Sequence, residues 1–357
     1  MTVDYLIIGQ GLCGTWLSYY LLKSGRSVLV IDNPNEETAS KVASGLINPV
    51  TGRRVVTTWL ADELLPFVRK EYDDFSKTVN SKCISEKNML AFPSAPDLQQ
   101  AFHKRMHEGN GYIFRSPVSK ESLREYFNFP FDVMQIAPCF LIDVQGFIRA
   151  WKAYLLNRDA LLEDEFEEEK LNLTGNHVQY KNVVAQKIIY CNGIETASGK
   201  YWNKLPFVAN KGQALIIGAP KIPRDFMYKF GHLTMIPWRD DLWWVGSSNE
   251  LEFTDELPTE DYKTKTVSIL TSILRMEFSV IGHIAALRPA AVERRPFVGI
   301  HPQFGNVGIL NGMGSKGCSL APWFAKEMTE HLTKGKPVNP LADVKRYSNV
   351  LKRMNED

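Results

Sequence analysis

Paired cysteines are missing from this 357-residue chain. Cys13, Cys83, Cys139, Cys191 and Cys318 are odd in number, widely spaced and free of any Cys-x-x-Cys pair. That pattern excludes a disulfide framework and a zinc site, so no metal is expected and a reducing compartment fits best. No run reaches the ~18 apolar residues of a membrane helix, and the first residues read as a strand rather than a basic segment followed by an apolar stretch. The expectation is a cytoplasmic protein with no membrane partner. Charge of one sign is missing as well. The 42 Lys and Arg against 40 Asp and Glu, without long blocks, leave no electrostatic footprint for DNA or RNA, while an anionic small substrate stays open. Internal repeats and low-complexity linkers are absent too. What is present is a 44% hydrophobic composition, enough for a large core divided into two domains or one domain with a substantial insertion.

The opening stretch VDYLIIGQGLCGTWLSYYLLKSGRSVLVID reads one element at a time. Val3 to Ile8 form a continuous apolar strand of the kind buried in a parallel sheet. Gly9 permits the tight turn, Gly11 lets a pyrophosphate approach the backbone, and Gly14 allows the following helix to lie close to the strand. A second strand ends in Asp32, placed to hydrogen-bond a ribose hydroxyl. Strand, glycine turn, helix, strand and terminal acid together predict a dinucleotide site.

The same glycine spacing returns at Gly312, Gly314 and Gly317, in NVGILNGMGSKGCSLAPWFAKEM. Here a short strand again feeds a helix, but the further strand with an acidic end that a nucleotide fold requires does not follow. The run is therefore either a tight structural turn or a helix N-terminus whose free amides face a flavin. In the second case the amides at Gly317 and Cys318, with Lys316, stabilise the charge that the pyrimidine edge gains on reduction.

Three other segments bear on a cofactor. ETASKVASGLINPVTGRR reads as a loop built for close approach, centred on Gly45. Lys187 to Tyr190 form an apolar strand ending before Asn192 and Gly193, either at a cofactor or simply within a sheet. Arg288 stands in an otherwise apolar run before Pro289, either paired in the core or facing a cavity where it would hold a carboxylate bidentately. The acidic run EDEFEEEK, residues 163 to 170, reads as a solvated edge.

Taken in order, these segments resemble the D-amino-acid oxidase superfamily of FAD-dependent oxidoreductases, in its glycine-oxidase and sarcosine-oxidase pattern. The matching residues are Gly9, Gly11 and Gly14; Ala39, Ser40, Ala43 and Gly45; Arg288 and Pro289; and Gly312, Gly317, Leu320, Ala321 and Pro322. Weaker matches at QGFIRAWKAYLL, NKGQALII and LTMIPWRDDLWWVGSS carry the likeness along nearly the whole chain. The resemblance implies an α/β fold (α+β overall): a Rossmann-type FAD-binding domain from residues 1–80, 142–205 and 285–357, and a discontinuous antiparallel-sheet substrate domain from 81–141 and 206–284. It implies cofactor contacts at Gly9, Gly11, Leu12, Cys13 and Gly14, at Asp32 and Asn33, at Ser40, Ala43, Gly45 and Asn48, and at Phe166. Further contacts are implied at Cys191, Asn192 and Gly193, at Arg288, and at Gly312, Gly314, Ser315, Lys316 and Gly317.

The implied chemistry is oxidation of a C–N bond in an amino acid or small amine, with hydride passing to flavin N5 and oxygen or another acceptor regenerating the flavin. Arg288 and Lys316 are the expected substrate-side residues, with His232, Tyr228 and Met235 as further candidates from their place at the sheet hairpin, or as ordinary packing. No cysteine occurs between Cys191 and Cys318, where some relatives attach flavin near the Arg-Pro segment, so noncovalent FAD is expected. Two departures stand out: Glu293, Arg294 and Arg295 follow the Arg-Pro segment where relatives carry Asp-Gly, and Met313, Gly314 and Ser315 replace a His and an aromatic. Alternatives are a tRNA-wobble-uridine modification activity, a dehydrogenase with a non-oxygen acceptor, and a non-catalytic FAD-binding protein. The sequence sets no oligomeric state.

Overall fold

A computed structural model describes residues 1–34, 38–109 and 111–352. Two large sheets organise it. In the first, five strands run parallel in the order Leu161–Glu163, Val28–Asp32, Thr2–Ile8, Val183–Tyr190 and Val307–Asn311. Their near-continuous apolar sequences follow from burial on both faces. Helices Leu12–Lys23, Ala61–Val79, Val144–Leu156 and Gly317–Lys334 pack on one face, and Leu6, Ile8, Leu29 and Ile31 meet Tyr180, Trp202 and Leu351 on the other. Because the strands are parallel, their C-terminal ends share one edge. Ile8 lies beside both Ile31 and Tyr190, and Tyr190 beside Ile309, so both glycine runs leave the sheet at the same rim. Antiparallel strands Leu171–Thr174, His177–Tyr180 and Phe297–Ile300 extend this sheet.

The second sheet has eight strands in the order Ser279–Ala291, Phe207–Gly218, Leu242–Gly246, Leu233–Pro237, Met227–Phe230, Met89–Phe92, Met134–Ile136 and Ile113–Arg115. All neighbours are antiparallel except Met227–Phe230 with Met89–Phe92. Ser279–Ala291 pairs with Phe207–Gly218 along its whole length, so the expected boundary at residue 285 falls inside a strand of this sheet. Pro289 is tolerated because the strand is an edge.

Strand alternation splits this sheet into two faces. Leu215, Ile217, Tyr228, Met235, Trp243 and Val245 pack against Leu270, from helix Glu260–Ile273, and against Leu274. Ala214, Ile216, Met227, Ile236, Trp244 and Met89 occupy the opposite face, which looks toward the first sheet.

Candidate active site

A cavity of about 750 Å³ lies between the rim of the first sheet and the inner face of the second. Helix Leu12–Lys23 opens on it. Close packing of turn and helix demands glycine at position 14, where a Cβ would stand 1.8 Å from the Gly9 carbonyl oxygen. The helix has no side-chain cap at Gly11, and its buried first turn presents backbone N–H groups toward the cavity. Of these amides, Leu12 donates to Ser40 Oγ at 3.1 Å and Thr15 to the Gly11 carbonyl at 2.9 Å.

The second glycine run meets the same cavity. Gly312 and Gly314 take φ of +79° and +54°, which glycine adopts without strain, and turn the chain into helix Gly317–Lys334, also without a side-chain cap. Asn311 ties this turn to the end of the adjacent strand: its Nδ2 donates to Thr196 Oγ1 at 2.7 Å and to the Gly193 carbonyl at 2.8 Å, and its Oδ1 accepts from the Gly312 amide at 2.8 Å. Two uncapped helix N-termini therefore face one cavity. The two glycine runs build a single site, the first suited to a pyrophosphate and the second to a ring edge that accumulates negative charge.

Carboxylates line the cavity at Asp32, Glu195 and residues 164–169 on the first sheet's side, and at Glu256. The acidic run expected to be a solvated edge thus lines the cavity, because Leu161–Glu163 pairs with Val28–Asp32 and delivers the following residues to the same rim. Asp32 Oδ1 accepts the Gln10 amide at 2.7 Å, and burial raises the Asp32 pKa above its ordinary value despite that bond. The second sheet contributes Gly212, Ala214, Trp244, Ile284 and Arg288, with Ser247 just after one of its strands.

The Arg288 guanidinium is fixed by neutral acceptors. Nη1 donates to Asn210 Oδ1 at 2.7 Å and to the Ser248 carbonyl at 3.1 Å, and Nη2 donates to Ser247 Oγ at 2.8 Å. No carboxylate among the described residues forms an ion pair with it. Burial lowers its pKa from the ordinary value, and Tyr262 and Glu250 act in the opposite sense from farther off.

Of the residues expected at the cofactor, Gly9, Gly11, Leu12, Cys13, Asp32, Asn33, Ser40, Ala43, Gly45, Phe166, Cys191, Asn192, Gly193, Arg288, Gly314, Ser315 and Gly317 line the cavity. Gly14, Asn48, Gly312 and Lys316 do not. Gly14 and Gly312 shape the turns from behind, and Lys316 Nζ reaches away to donate to Asn48 Oδ1 at 2.9 Å.

The hairpin candidates are corrected. Tyr228 and Met235 sit opposite each other on the face that packs against helix Glu260–Ile273, and the Tyr228 hydroxyl is spent on the Pro223 carbonyl at 2.7 Å. His232 is exposed in the turn after Phe230. Glu293, Arg294 and Arg295 occupy the turn after Ala291 and line no part of the cavity. Glu293 meets Arg346 at 3.5 Å, and the Arg295 guanidinium stacks 4.2 Å from the Trp59 ring centroid.

Sequence reasoning missed Gly212, Trp244, Ser247 and Glu195. Only the alternation in LWWVG carried a signal, since it sets Trp243 and Trp244 on opposite faces.

A parallel sheet whose strand ends and two uncapped helices converge on one long cavity, roofed by an antiparallel sheet, defines a dinucleotide-cofactor oxidoreductase. The family model of FAD dependent oxidoreductases, the DAO family, matches residues 4–331, and the chain belongs to that family. Its fold is shared with glycine oxidase from Bacillus cereus, at a TM-score of 0.80 and 15% identity over 94% of this chain and 96% of that one. Iminodiacetate oxidase from Chelativorans sp. superposes at 0.80 with 19% identity over 97% and 98% of the two chains. L-proline dehydrogenase from P. horikoshii superposes at 0.73 with 16% identity over 99% and 98%. No helix among the described residues is long and apolar enough to cross a membrane, and no cluster among them holds a metal ion.

Proposed function

We propose that the protein oxidises the C–N bond of an amino acid or a related carboxylated amine. The observation that carries this reading is Arg288, a cation on the cavity wall held only by neutral acceptors. A buried cation without an ion-pair partner is costly, and a substrate carboxylate supplies that partner through charge-assisted hydrogen bonds. The names of the structural relatives support the reading: glycine, iminodiacetate and proline are all amines that carry a carboxylate.

The amides at the start of helix Leu12–Lys23 would hold the FAD pyrophosphate, Asp32 the ribose hydroxyls, and the Gly314–Gly317 turn the flavin edge. When bound, FAD supplies the two-electron acceptor that takes hydride at N5. Arg288 orients the substrate by its carboxylate, so the α-carbon is presented in one pose, and Trp244 and Ala214 give that pose an apolar wall that limits water. In this reading the amine enters unprotonated and the imine hydrolyses after release. FAD is held noncovalently in this reading. The cavity cysteines are thiols rather than nucleophilic thiolates, since burial pushes Cys13 and Cys318 up to about 12.

The test is anaerobic titration of the yellow protein with glycine, sarcosine, proline, iminodiacetate and D-amino acids. Bleaching of the flavin by one of them is expected, and Arg288→Ala should weaken that substrate by about 100-fold while keeping its flavin. A flavin that no carboxylated amine reduces, or an Arg288→Ala protein of unchanged affinity, removes the reading. Admission of air then separates an oxidase from a dehydrogenase.

A further inference from the structure

Small residues pave the inner face of the second sheet beside Arg288. Register sets Gly212 opposite Ala286, and Ala214 between Ile284 and Gly246, so these positions share the cavity side. Larger groups occupy the space that the glycines leave. The Arg288 guanidinium takes the place of a Gly212 side chain, and the Trp244 indole takes that of Gly246, where a Cβ would meet Trp244 Cη2 at 2.8 Å and the Ala214 Cβ at 2.9 Å. The indole therefore runs along its own strand from Trp244 past Gly246 toward Ser247, whose hydroxyl accepts Arg288 Nη2 at 2.8 Å. Arg288, Ala214 and Trp244 all line the cavity.

The ring is held at this angle. Its Nε1 donates to the Val42 carbonyl at 3.2 Å, and Ile216 and Ile236 stand opposite Trp244 on the neighbouring strands. Along the face, Gly212 and Ala214 are two strand residues apart, about 6.6 Å. A carboxylate oxygen on the guanidinium takes up about 2.8 Å of that span. About 4 Å is left before Ala214 and the indole beside it, the contact distance of a pair of carbon atoms. A short α-substituent lying along this face therefore packs on the indole, and an aromatic one collides with it.

We propose that Trp244 sets the size limit of the substrate: the amine carries its carboxylate on Arg288 and an α-substituent from hydrogen to ethyl, and a benzyl group is refused. The inference rests on the amine-oxidising reading for the reaction, whereas the size limit applies to any carboxylate that Arg288 holds. Without the indole, the space over Ile216 and Ile236 on the same face becomes continuous with the Arg288 part of the cavity, which gives a benzyl group an apolar seat.

The experiment pairs ligands that differ only in the α-substituent. Butyrate, with an ethyl group, and 3-phenylpropionate, with a benzyl group, are titrated into the FAD-loaded protein, wild type, Trp244→Ala and Trp244→Phe, and binding is read from the flavin visible spectrum. An unrestricted apolar wall would favour the phenyl compound, which buries more apolar surface. The wild type is expected instead to bind butyrate about tenfold or more tighter, and Trp244→Ala to reverse that order. Trp244→Phe loses the bond to Val42 but keeps most of the ring bulk, and should retain the wild-type order. Flavin content and circular dichroism report folding, and Trp244→Leu carries the same test should Trp244→Ala lose its flavin. Equal or tighter binding of 3-phenylpropionate by the wild type, or an order that the folded small-residue variant leaves intact, overturns the limit. Anaerobic reduction by D- and L-2-aminobutyrate and by D- and L-phenylalanine is measured alongside. Should the carboxylates obey the limit while no amine reduces the flavin, the limit stands and amine oxidation falls. Should phenylalanine reduce the wild-type flavin as readily as 2-aminobutyrate, the oxidation stands and the limit falls.

Discussion

Arg288 owes its position to an absent side chain. A Cβ on Gly212 would stand 1.8 Å from Arg288 Nη2 and 2.1 Å from Cζ, so the guanidinium occupies the space a side chain would fill. The group is held there by Asn210 and Ser247 at 2.7 and 2.8 Å, so it cannot swing aside without breaking those bonds. Gly212→Ala should therefore retain FAD yet weaken carboxylate ligands by about 10- to 100-fold, the scale of one or two lost charge-assisted hydrogen bonds. Titration of butyrate against the flavin spectrum checks this, and wild-type affinity would show that the guanidinium needs no such seat. The sequence displayed Arg288 through its apolar surroundings and the Pro that follows. Nothing local displayed Gly212, because its neighbour comes from the adjacent strand, and only the register of Asn210 opposite Arg288 brings the two together.

At the level of elements, period and end chemistry were legible and facing was not. Four of the five parallel strands, both glycine turns and the helices after them stand where apolar runs and glycines put them, whereas the short strand Leu161–Glu163 gave no such signal. Tyr228 and Met235 went astray because alternation tells that two faces exist and not which of them meets the cavity. The acidic run is solvent-exposed or half-exposed as its local polarity indicates, while its place at the cavity rim is set by strand pairing with Val28–Asp32.

Helix packing around the site rests on a feature the sequence also hid. Glu71 is 3% exposed in helix Ala61–Val79, where it accepts the Tyr20 hydroxyl at 3.1 Å and Lys326 Nζ at 3.2 Å. It thereby joins the two helices whose N-termini face the cavity. Beside it Trp16, Tyr19, Tyr72, Phe75 and Phe147 pack with ring centroids 4.3 to 5.5 Å apart. Glu71→Ala would leave the buried Tyr20 hydroxyl unpaired and should cost about 1–3 kcal/mol, seen as a lower Tm at constant FAD. Glu71→Gln keeps an acceptor for Tyr20 and should lose less, and equal losses would place the effect in the charge alone.

For the whole molecule, the cavity is also the seam between the two sheets, and protein contacts cross it beside the cavity. Trp244 donates to Val42, and an isolated bridge joins Ala290 to Met313. A cofactor lying along the cavity touches the first sheet's rim, the Thr38–Leu46 segment and the second sheet together, so its binding free energy becomes folding free energy. Free FAD at about 100 times its Kd should then add about 2.7 kcal/mol to stability. Thermal melts across a series of FAD concentrations should show Tm rising with the logarithm of ligand, and the apoprotein should be cleaved fastest within Thr38–Leu46. The same preparation treated with acid should release its flavin to the supernatant, as noncovalent binding requires. A Tm indifferent to FAD would mean that the sheets hold each other without it. Flavin that stays with the acid pellet would mean that one of the cavity cysteines reacts despite its burial, and Cys318, beside the flavin-edge turn, would be the first to replace.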